Sequence, residues 1–336
     1  MKIPMEKTSR QRYYGLLDEV FDSNFWSEGA MVDRFETEFA QSLGNNCHTL
    51  AMSNGGLGLL ALLEAAGVAG GEVIVPSNTF MATALAVQRA GARPVLADCN
   101  RNDLCLCFED MKKRITPNTK AVVVVHIGGH IAFQINEIAE YLAEKNIPLI
   151  EDCAHAHGAT YHGTSAGCYG LGGAYSFYAT KTMPLGEGGM VVTKSESVAR
   201  YVAKWRNYGK FEYEIPGFNA RMNEFTAALG LVQLERLPGI LQWKRDLAAK
   251  YDQVFKNRVH MPEGMISGYY KYIVFQDEPL EQTGKVFDPP CHQIMNTRDG
   301  LPNTDWVSAN HYCPPIYHGW DGADLSVDDL RKRLLP

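Results

Sequence analysis

The sequence predicts an α/β fold, with a large domain built on a mainly parallel central sheet and a small α+β domain at its C-terminal end. Two patterns predict the large domain. Short apolar, β-branched runs recur between residues 72 and 193, and helix-period segments separate them. Several runs are apolar nearly throughout, as strands buried on both faces are. Beyond about residue 257, short strand-like runs mix with proline-rich loops, which predicts the small domain.

The predicted elements follow in chain order. Strands are expected at Thr49–Met52, Glu72–Pro76, Pro94–Cys99, Ala121–Ile127, Pro148–Cys153, Ala174–Tyr178, Met190–Thr193 and, in the small domain, Tyr270–Phe275. Helices are expected at Leu57–Ala66, Met81–Ala90, Gln134–Lys145 and Val198–Trp205. From Met222 to Phe255 the pattern is helical, and Pro238–Gly239 predicts a break into two helices. We place the large domain, which includes an N-terminal helical segment, at 1–236 and the small domain at 237–336.

Composition narrows the class of protein. The chain is 46% hydrophobic and 21% charged, which is ordinary for a soluble globular protein, and its net charge of -6 with no basic block argues against nucleic-acid binding. No apolar run is long enough to span a bilayer, and the N-terminus has no apolar core typical of a secretory signal. The eight cysteines include no CxxC pair, so we expect reduced thiols in a cytoplasmic protein without a structural metal.

A glycine-rich turn lies between the first predicted strand and the first predicted helix of the large domain. The sequence SNGG occupies Ser53–Gly56, and an apolar helix begins near Leu57. Free backbone N–H groups and the positive end of a helix attract an anion, and Gly55 and Gly56 let the backbone approach it closely. Taken alone, such a turn is more often a plain helix cap.

An acid and a lysine lie at the ends of two other predicted strands. Asp152 ends the run PLIED, and Lys181 follows SFYAT and precedes GEGG at Gly186–Gly189. Ligands collect at the carboxyl ends of parallel strands, so we expect one site. An anion loop, an acid and a lysine are what pyridoxal phosphate requires for its phosphate, its ring nitrogen and its aldehyde, which forms a Schiff base with the lysine. Ser176 adds a hydroxyl for the phosphate.

Histidines and one phenylalanine leave alternatives open. The pair His155 and His157, together with His126 and His130, suggests a metal, but the spacing does not place two ligands on one helix face, and we predict no metal site. Phe80, at the end of PSNTF, either packs in the core or lies flat on a bound aromatic ring.

The motifs occur in an order that resembles a known family. EVIVPSNTF, EDCAHAHGA, SFYATK, GEGG and GFNARMNEFTAALG are similar to segments of the pyridoxal-phosphate-dependent nucleotide-sugar aminotransferases of the DegT/StrS type. The similarity runs from about Trp26 to about Leu237, and HYCPPIYHG at His311–Gly319 resembles the closing segment of that family. The resemblance implies the aspartate aminotransferase-like, type I pyridoxal-phosphate fold.

The resemblance also implies residue roles in catalysis. Lys181 would form the Schiff base and later shuttle the proton, and Asp152 would pair with the pyridine nitrogen. His155 stands where the family usually has a glutamine that contacts the ring hydroxyl, so this chain carries a titratable group there.

Further roles concern cofactor binding and assembly. Gly55, Gly56 and Ser176 would hold the phosphate, and Phe80 would stack on the ring. Asn219 would reach the phosphate of the other subunit, which implies a homodimer with shared active sites. Gly56 replaces the family's usual threonine, which removes a hydroxyl contact worth about 1 kcal/mol.

These roles imply a ping-pong transamination in which glutamate or glutamine donates an amino group to a nucleotide-linked ketosugar. Three other functions stay open: amination of a keto-cyclitol, a pyridoxal-phosphate-dependent sugar dehydratase, and a non-catalytic sensor that retains the fold. The dehydratases of the family replace the lysine by histidine, and Lys181 therefore argues for transfer. No GxGxxG separates an early strand from a helix, which argues against a Rossmann dehydrogenase.

Overall fold

The computed structural model describes residues 4–44, 47–275, 283–297 and 300–335. The strands in these ranges are β1 (His48–Met52), β2 (Glu72–Pro76), β3 (Arg93–Ala97), β4 (Thr119–Val125), β5 (Leu149–Asp152), β6 (Thr160–Tyr161), β7 (Thr164–Ser165), β8 (Gly172–Ser176), β9 (Gly189–Thr193), β10 (Met265–Ile266), β11 (Val274–Phe275) and β12 (His311–Tyr312). The helices are α1 (Lys7–Ser23), α2 (Ala30–Ser42), α3 (Gly55–Ala65), α4 (Met81–Arg89), α5 (Phe108–Arg114), α6 (Ile135–Glu144), α7 (Glu196–Trp205), α8 (Glu224–Val254), α9 (Cys291–Ile294), α10 (Pro302–Asn310) and α11 (Val327–Leu334). A 3₁₀ helix spans Asp321–Asp324.

Seven strands form the central sheet in the order β1-β9-β8-β5-β4-β2-β3. The neighbours from β8 to β3 are parallel, whereas β9 runs antiparallel to both β8 and β1. The sheet is therefore mainly parallel, as predicted. The register pairs Val125 of β4 with Asp152 of β5, and Asp152 with Ala174 of β8. Asp152 thus lies at the carboxyl edge near the middle of the sheet.

The helix α3 packs closely on the sheet because its facing residues are small. A Cβ added to Gly58 would come within 3.2 Å of the Val191 side chain and 3.3 Å of the Ala174 Cβ. The remaining residues of the helix are largely buried and apolar, and their burial is the main driving force for this contact. The close approach brings the first turn of α3 directly beside the end of β8.

The long helix α8 runs unbroken for 31 residues, and the prediction of two helices separated at Pro238–Gly239 is wrong. A proline inside a helix removes one backbone hydrogen bond and costs about 3 kcal/mol. Large apolar side chains are buried on both sides of it, namely Leu231, Leu234, Leu237, Ile240 and Leu241. Since each buried leucine or isoleucine contributes roughly 1.5–3 kcal/mol, their packing outweighs the local cost.

The N-terminal end of α8 is tied to α2 by one buried carboxylate. Glu224 accepts hydrogen bonds from the backbone N–H groups of Gly29 (3.0 Å), Met31 (2.8 Å) and Val32 (3.3 Å). These N–H groups belong to the start of α2, where the helix dipole favours a negative charge. The last residue of the NARMNE motif is therefore a structural one.

A second, smaller core lies where the C-terminal half of α8 meets the end of the chain. Its largest members are Tyr251, Phe255, Tyr272, Trp320 and Leu330. The predicted strand at Tyr270–Phe275 is shortened to β11 because the backbone N–H of Lys271 donates to the Gly128 carbonyl at 2.8 Å instead of joining a ladder. The domain boundary at 236/237 stays a prediction, and α8 is continuous across it.

In the described part of the chain, no helix is both long enough and apolar enough to span a bilayer.

Candidate active site

A cavity of about 510 Å³ opens at the carboxyl edge of the central sheet, between β5, β8 and the first turn of α3. It brings together seven of the eight residues that the sequence nominates: Gly55, Gly56, Phe80, Asp152, His155, Ser176 and Lys181. The eighth, Asn219, does not line it. Asn219 is exposed, and its backbone forms an isolated bridge with Asn207.

The carboxylate of Asp152 is buried and held in one orientation. Its Oδ2 accepts a hydrogen bond from the Thr83 hydroxyl at 2.9 Å, and its Oδ1 accepts one from the Ala154 N–H at 3.0 Å. The Thr83 hydroxyl lies 2.8 Å from that of Thr79, so the first turn of α4 braces the acid. Asp152 is 7% exposed, and these hydrogen bonds fix the position of its carboxylate on the cavity wall.

Lys181 follows β8 and extends into the cavity. Its backbone N–H donates to the Tyr178 carbonyl at 2.8 Å, and its Nζ lies 5.1 Å from the centre of the Tyr270 ring. Burial lowers the pKa of Lys181, and the Lys271 ammonium lowers it further, while Tyr270 and Asp152 oppose the shift. A lowered pKa leaves more of the amine neutral, which is the nucleophilic form.

The first turn of α3 and the end of β8 form an anion-binding corner. Asn54 caps the helix by accepting from the Leu57 N–H at 2.9 Å. A Cβ added to Gly55 would lie 3.0 Å from the Tyr175 carbonyl and from the Ser176 Cβ, so glycine is needed for this approach. The helix start and the Ser176 hydroxyl thus lie together, which suits a phosphate group.

His155 forms part of an aromatic stack. Its ring lies 4.2 Å from that of Tyr270 and 5.5 Å from that of Phe287, at interplanar angles of 27° and 14°. Burial, followed by the charges of Lys181 and Lys271, holds the pKa of His155 well below its usual value. The imidazole is therefore neutral near pH 7, and its buried Nδ1 has no hydrogen-bond partner within the described structure.

A histidine–carboxylate cluster lies behind Asp152. In the described part of the chain, His126, Glu151 and Cys153 are the one group whose potential ligand atoms lie within 4.8 Å of one another. The His126 Nδ1 accepts from the Ala132 N–H at 3.1 Å, so its Nε2 carries the proton and donates it to Glu151 at 2.9 Å.

The same carboxylate is further occupied by the backbone. Glu151 accepts the N–H groups of Gly167 (2.7 Å), Tyr169 (2.8 Å) and Gly170 (3.0 Å). Both His126 nitrogens and both Glu151 oxygens are already engaged, so we assign the cluster to holding the loop after β7 against β5 rather than to a metal.

Among the cavity residues that the sequence analysis missed, four contact or adjoin the nominated ones. Tyr270, Lys271 and Phe287 lie after the segment that resembles the family, and only the folded chain brings them to Lys181 and His155. Thr83 lies in a predicted helix, and nothing in its spacing indicates that it binds Asp152.

A half-buried lysine that shares a cavity with a braced carboxylate and a helix-start anion corner, on a mainly parallel sheet, defines an enzyme of the aminotransferase type. Residues 8–327 match the model of the DegT/DnrJ/EryC1/StrS aminotransferase family, and the chain belongs to that family. The family and the fold suggested by the sequence motifs are thereby confirmed.

Individual relatives agree with this assignment. The chain is 38% identical over 276 residues to GDP-perosamine synthase of Vibrio cholerae (79% of this chain and 75% of that protein). It is 34% identical over 317 residues to GDP-perosamine synthase of Caulobacter vibrioides (89% and 82%). Among solved structures, it is similar to the aminotransferase TlmJ from Streptoalloteichus hindustanus, with a TM-score of 0.87, 28% identity, and coverage of 98% of this chain and 96% of that one.

Proposed function

We propose that this protein is a pyridoxal-phosphate-dependent aminotransferase that converts a nucleotide-linked ketosugar into an aminosugar, with glutamate or glutamine as the amino donor. The observation that carries the proposal is the single cavity in which Lys181, Asp152 and the first turn of α3 meet. The names of the two curated relatives support a sugar nucleotide as acceptor and favour a GDP-linked one.

The residues of the cavity fit this cofactor. The cavity volume of about 510 Å³ lies within the range of roughly 300–1,000 Å³ usual for small-molecule sites. The α3 start and Ser176 match the phosphate, and Asp152 matches the ring nitrogen. The orphaned Nδ1 of His155 offers a hydrogen-bond partner for the ring hydroxyl. Phe80, 66% exposed on its own chain, provides an uncovered ring for stacking.

The chain's own residues supply binding and proton transfer. When bound, the cofactor supplies an aldehyde that combines with amines and a ring that accepts an electron pair. The Lys181 Nζ would hold the aldehyde, and when the donor amine is bound instead, its lowered pKa would let it act as the base that takes the proton from the donor's α-carbon. Asp152, held in place by Thr83 and the Ala154 N–H, would pair with the ring nitrogen and favour its protonated form.

We also propose a cytoplasmic homodimer in which Asn219 serves the partner's cavity. Asn219 is exposed and lies outside its own cavity, and the preceding loop exposes Tyr208, Phe211, Tyr213 and Phe218. A group of exposed aromatic side chains is typical of a surface that another subunit covers. Mixing inactive Asn219→Ala and Lys181→Ala proteins should restore part of the activity if sites are shared, because mixed dimers then contain one intact site. No restoration after confirmed subunit exchange would contradict shared sites.

The proposed function is tested by spectroscopy and product analysis. Protein supplied with pyridoxal phosphate should show a visible absorption band that bleaches on addition of L-glutamate. Incubation with GDP- and dTDP-linked ketosugars should then yield, by mass spectrometry, a product with a carbonyl oxygen replaced by an amine. A keto-cyclitol product would support the cyclitol alternative, and a deoxygenated sugar would support the dehydratase. A protein that shows no band with added cofactor would refute the proposal.

We expect Gly56→Thr to bind the cofactor about fivefold more tightly than Gly56→Ala, because one extra hydroxyl contact is worth about 1 kcal/mol. A Cβ at Gly56 meets only the Asn54 Oδ1, at 3.4 Å, so both side chains fit. The alanine variant isolates the backbone effect of removing glycine. The measurement is the dissociation constant of pyridoxal phosphate by fluorescence quenching. Equal affinities of the two variants would place the phosphate elsewhere.

A further inference from the structure

A second cavity, of about 280 Å³, adjoins the cofactor cavity. Thr180, Lys181, Tyr270 and Lys271 line both, so they form the shared wall. The rest of the second cavity is formed mainly by the middle of α8 and by the segment 313–318, which contains part of the closing motif. No described residue that lines it carries a carboxylate, whereas several carry a positive charge.

Lys244 is the most buried of these cations. It lies on α8, is 4% exposed, and donates to the carbonyls of Ile316 at 2.6 Å and Tyr269 at 3.1 Å. Both acceptors are neutral, and no carboxylate of the described chain lies within ion-pair distance of its Nζ. A buried ammonium without a counter-ion is costly, and burial, helped by the charge of Lys271, lowers the pKa of Lys244 to about 7.

Lys271 adds a second uncompensated charge. Within the described structure its Nζ makes no ion pair, and it lies 5.5 Å from the centre of the Tyr270 ring. Its charge lowers the pKa of both Lys181 and Lys244, so the three ammonium groups repel one another. Arg236 also lines the cavity, but Glu6 already pairs with it at 3.2 Å. An anion placed among these lysines would relieve the repulsion.

We propose that the second cavity binds the carboxylate of the amino donor, with Lys244 and Lys271 as its binding residues. This inference rests on the proposed function, because it specifies where the donor binds. The donor's carboxylate is bonded to the carbon that bears its amine, and the amine must replace that of Lys181. The carboxylate therefore has to lie close to Lys181, as this cavity does.

The size of the cavity selects the donor over the acceptor. At about 280 Å³ it has little more than half the volume of the cofactor cavity, which is about 510 Å³. It suits a small amino acid rather than a complete nucleotide sugar. The competing occupant is the diphosphate of the acceptor, and the test separates the two.

The test compares matched lysines on the same helix. Lys244→Gln removes the charge but keeps a donor for the Ile316 and Tyr269 carbonyls. Lys250→Gln is the control, because Lys250 also donates to two carbonyls, those of Ala323 (2.8 Å) and Leu325 (3.3 Å), but lies away from the cavity. We expect the KM for L-glutamate in the bleaching reaction to rise about 10- to 100-fold in Lys244→Gln and to stay unchanged in Lys250→Gln.

Lys271→Gln should raise the same KM, and Lys271→Arg should restore it, because the arginine keeps the charge. The visible band should persist in all four variants. Inhibition by GDP and by dTDP, measured in the same bleaching reaction, should be unchanged. If the lysine variants weaken nucleotide inhibition and leave the glutamate KM unchanged, the cavity serves the diphosphate and our inference is wrong. If the lysine variants change neither the glutamate KM nor the nucleotide inhibition, our inference is also wrong. The proposed function still stands in that case, provided that the wild-type band bleaches.

The pH dependence provides a readout that a merely structural lysine would not change. The charged groups and other titratable groups that share the cavity with Lys244 are Lys181, Arg236, Tyr270, Lys271, Tyr317 and His318. Because the pKa of Lys244 is about 7, its charge is present below that pH and is lost above it. The glutamate KM should therefore rise as the pH increases through about 7, and this rise should be absent in Lys244→Gln. An identical pH profile in wild type and variant would overturn the role of Lys244.

Discussion

Lys181→Ala is expected to slow the glutamate-dependent bleaching reaction on the order of 10⁴-fold, because the variant has neither the amine that holds the cofactor nor the base that moves the proton. The cavity offers other amines, those of Lys271 and Lys285. Lys285, however, bonds to the carbonyls of Ser308 and Ala309. Lys271 has its backbone N–H bonded to the Gly128 carbonyl at 2.8 Å, and we expect neither lysine to substitute.

The measurement is stopped-flow absorbance with saturating L-glutamate, together with borohydride reduction. Reduction of the wild type in the presence of pyridoxal phosphate should attach the cofactor covalently to the peptide that contains Lys181. Lys181→Ala should remain unlabelled at that peptide, and the control Lys250→Gln should be labelled as the wild type is. Near wild-type bleaching in Lys181→Ala, or labelling chiefly at another lysine, would contradict the proposed mechanism.

Asp152→Asn is expected to lower kcat on the order of 10²- to 10³-fold, which is the usual effect of removing one preorganised electrostatic contact. Asparagine has nearly the same shape, so it can still accept the Ala154 N–H, and the Thr83 hydroxyl can rotate to accept from the new amide. The fold should therefore persist while the fixed negative charge is lost. The ring nitrogen would then hold its proton less tightly, and the ring would accept electrons less well.

Thr83→Val provides a graded control for this charge. It removes the hydrogen bond to Asp152 but leaves the carboxylate in place, so we expect a loss of about tenfold or less. The kcat values of both variants should be compared with their thermal unfolding midpoints. Equal losses of kcat in the two variants would show that orientation, rather than charge, is what Asp152 contributes.

The sequence predicted the layered fold because its strongest signals are local. The β4 run is apolar at nearly every position, and such a run reads as a buried strand without knowledge of its neighbours. The continuity of α8 was not predictable in this way. Pro238 is a local breaking signal, and it is overruled by leucines and isoleucine that are buried only once distant elements pack on the helix. A local pattern cannot contain that information.

The residues of the candidate site also fall into two groups, those that local sequence predicts and those that only the fold brings together. Asp152 and Lys181 were predictable because each follows a strand, and the parallel sheet brings strand ends together. Lys244 was not, because it lies within a helix and reaches the cavity only through the folding of α8 beneath the 313–318 segment. The neutral state of His155 was likewise hidden, since it depends on burial against Tyr270 and Phe287.

The two adjacent acids at the end of β5 have opposite duties. Glu151 secures backbone amides and His126 on one side of the sheet, while Asp152 borders the cofactor cavity on the other, as alternating side chains of a strand require. A single-residue insertion or deletion within this strand would move each acid to the other side of the sheet. That one change would remove both the hydrogen bonds of Glu151 to the backbone and the Asp152 carboxylate from the cofactor cavity. In attempts to change the amino donor of this enzyme, β5 is therefore the segment to leave at its natural length, and substitutions belong in the 313–318 segment instead.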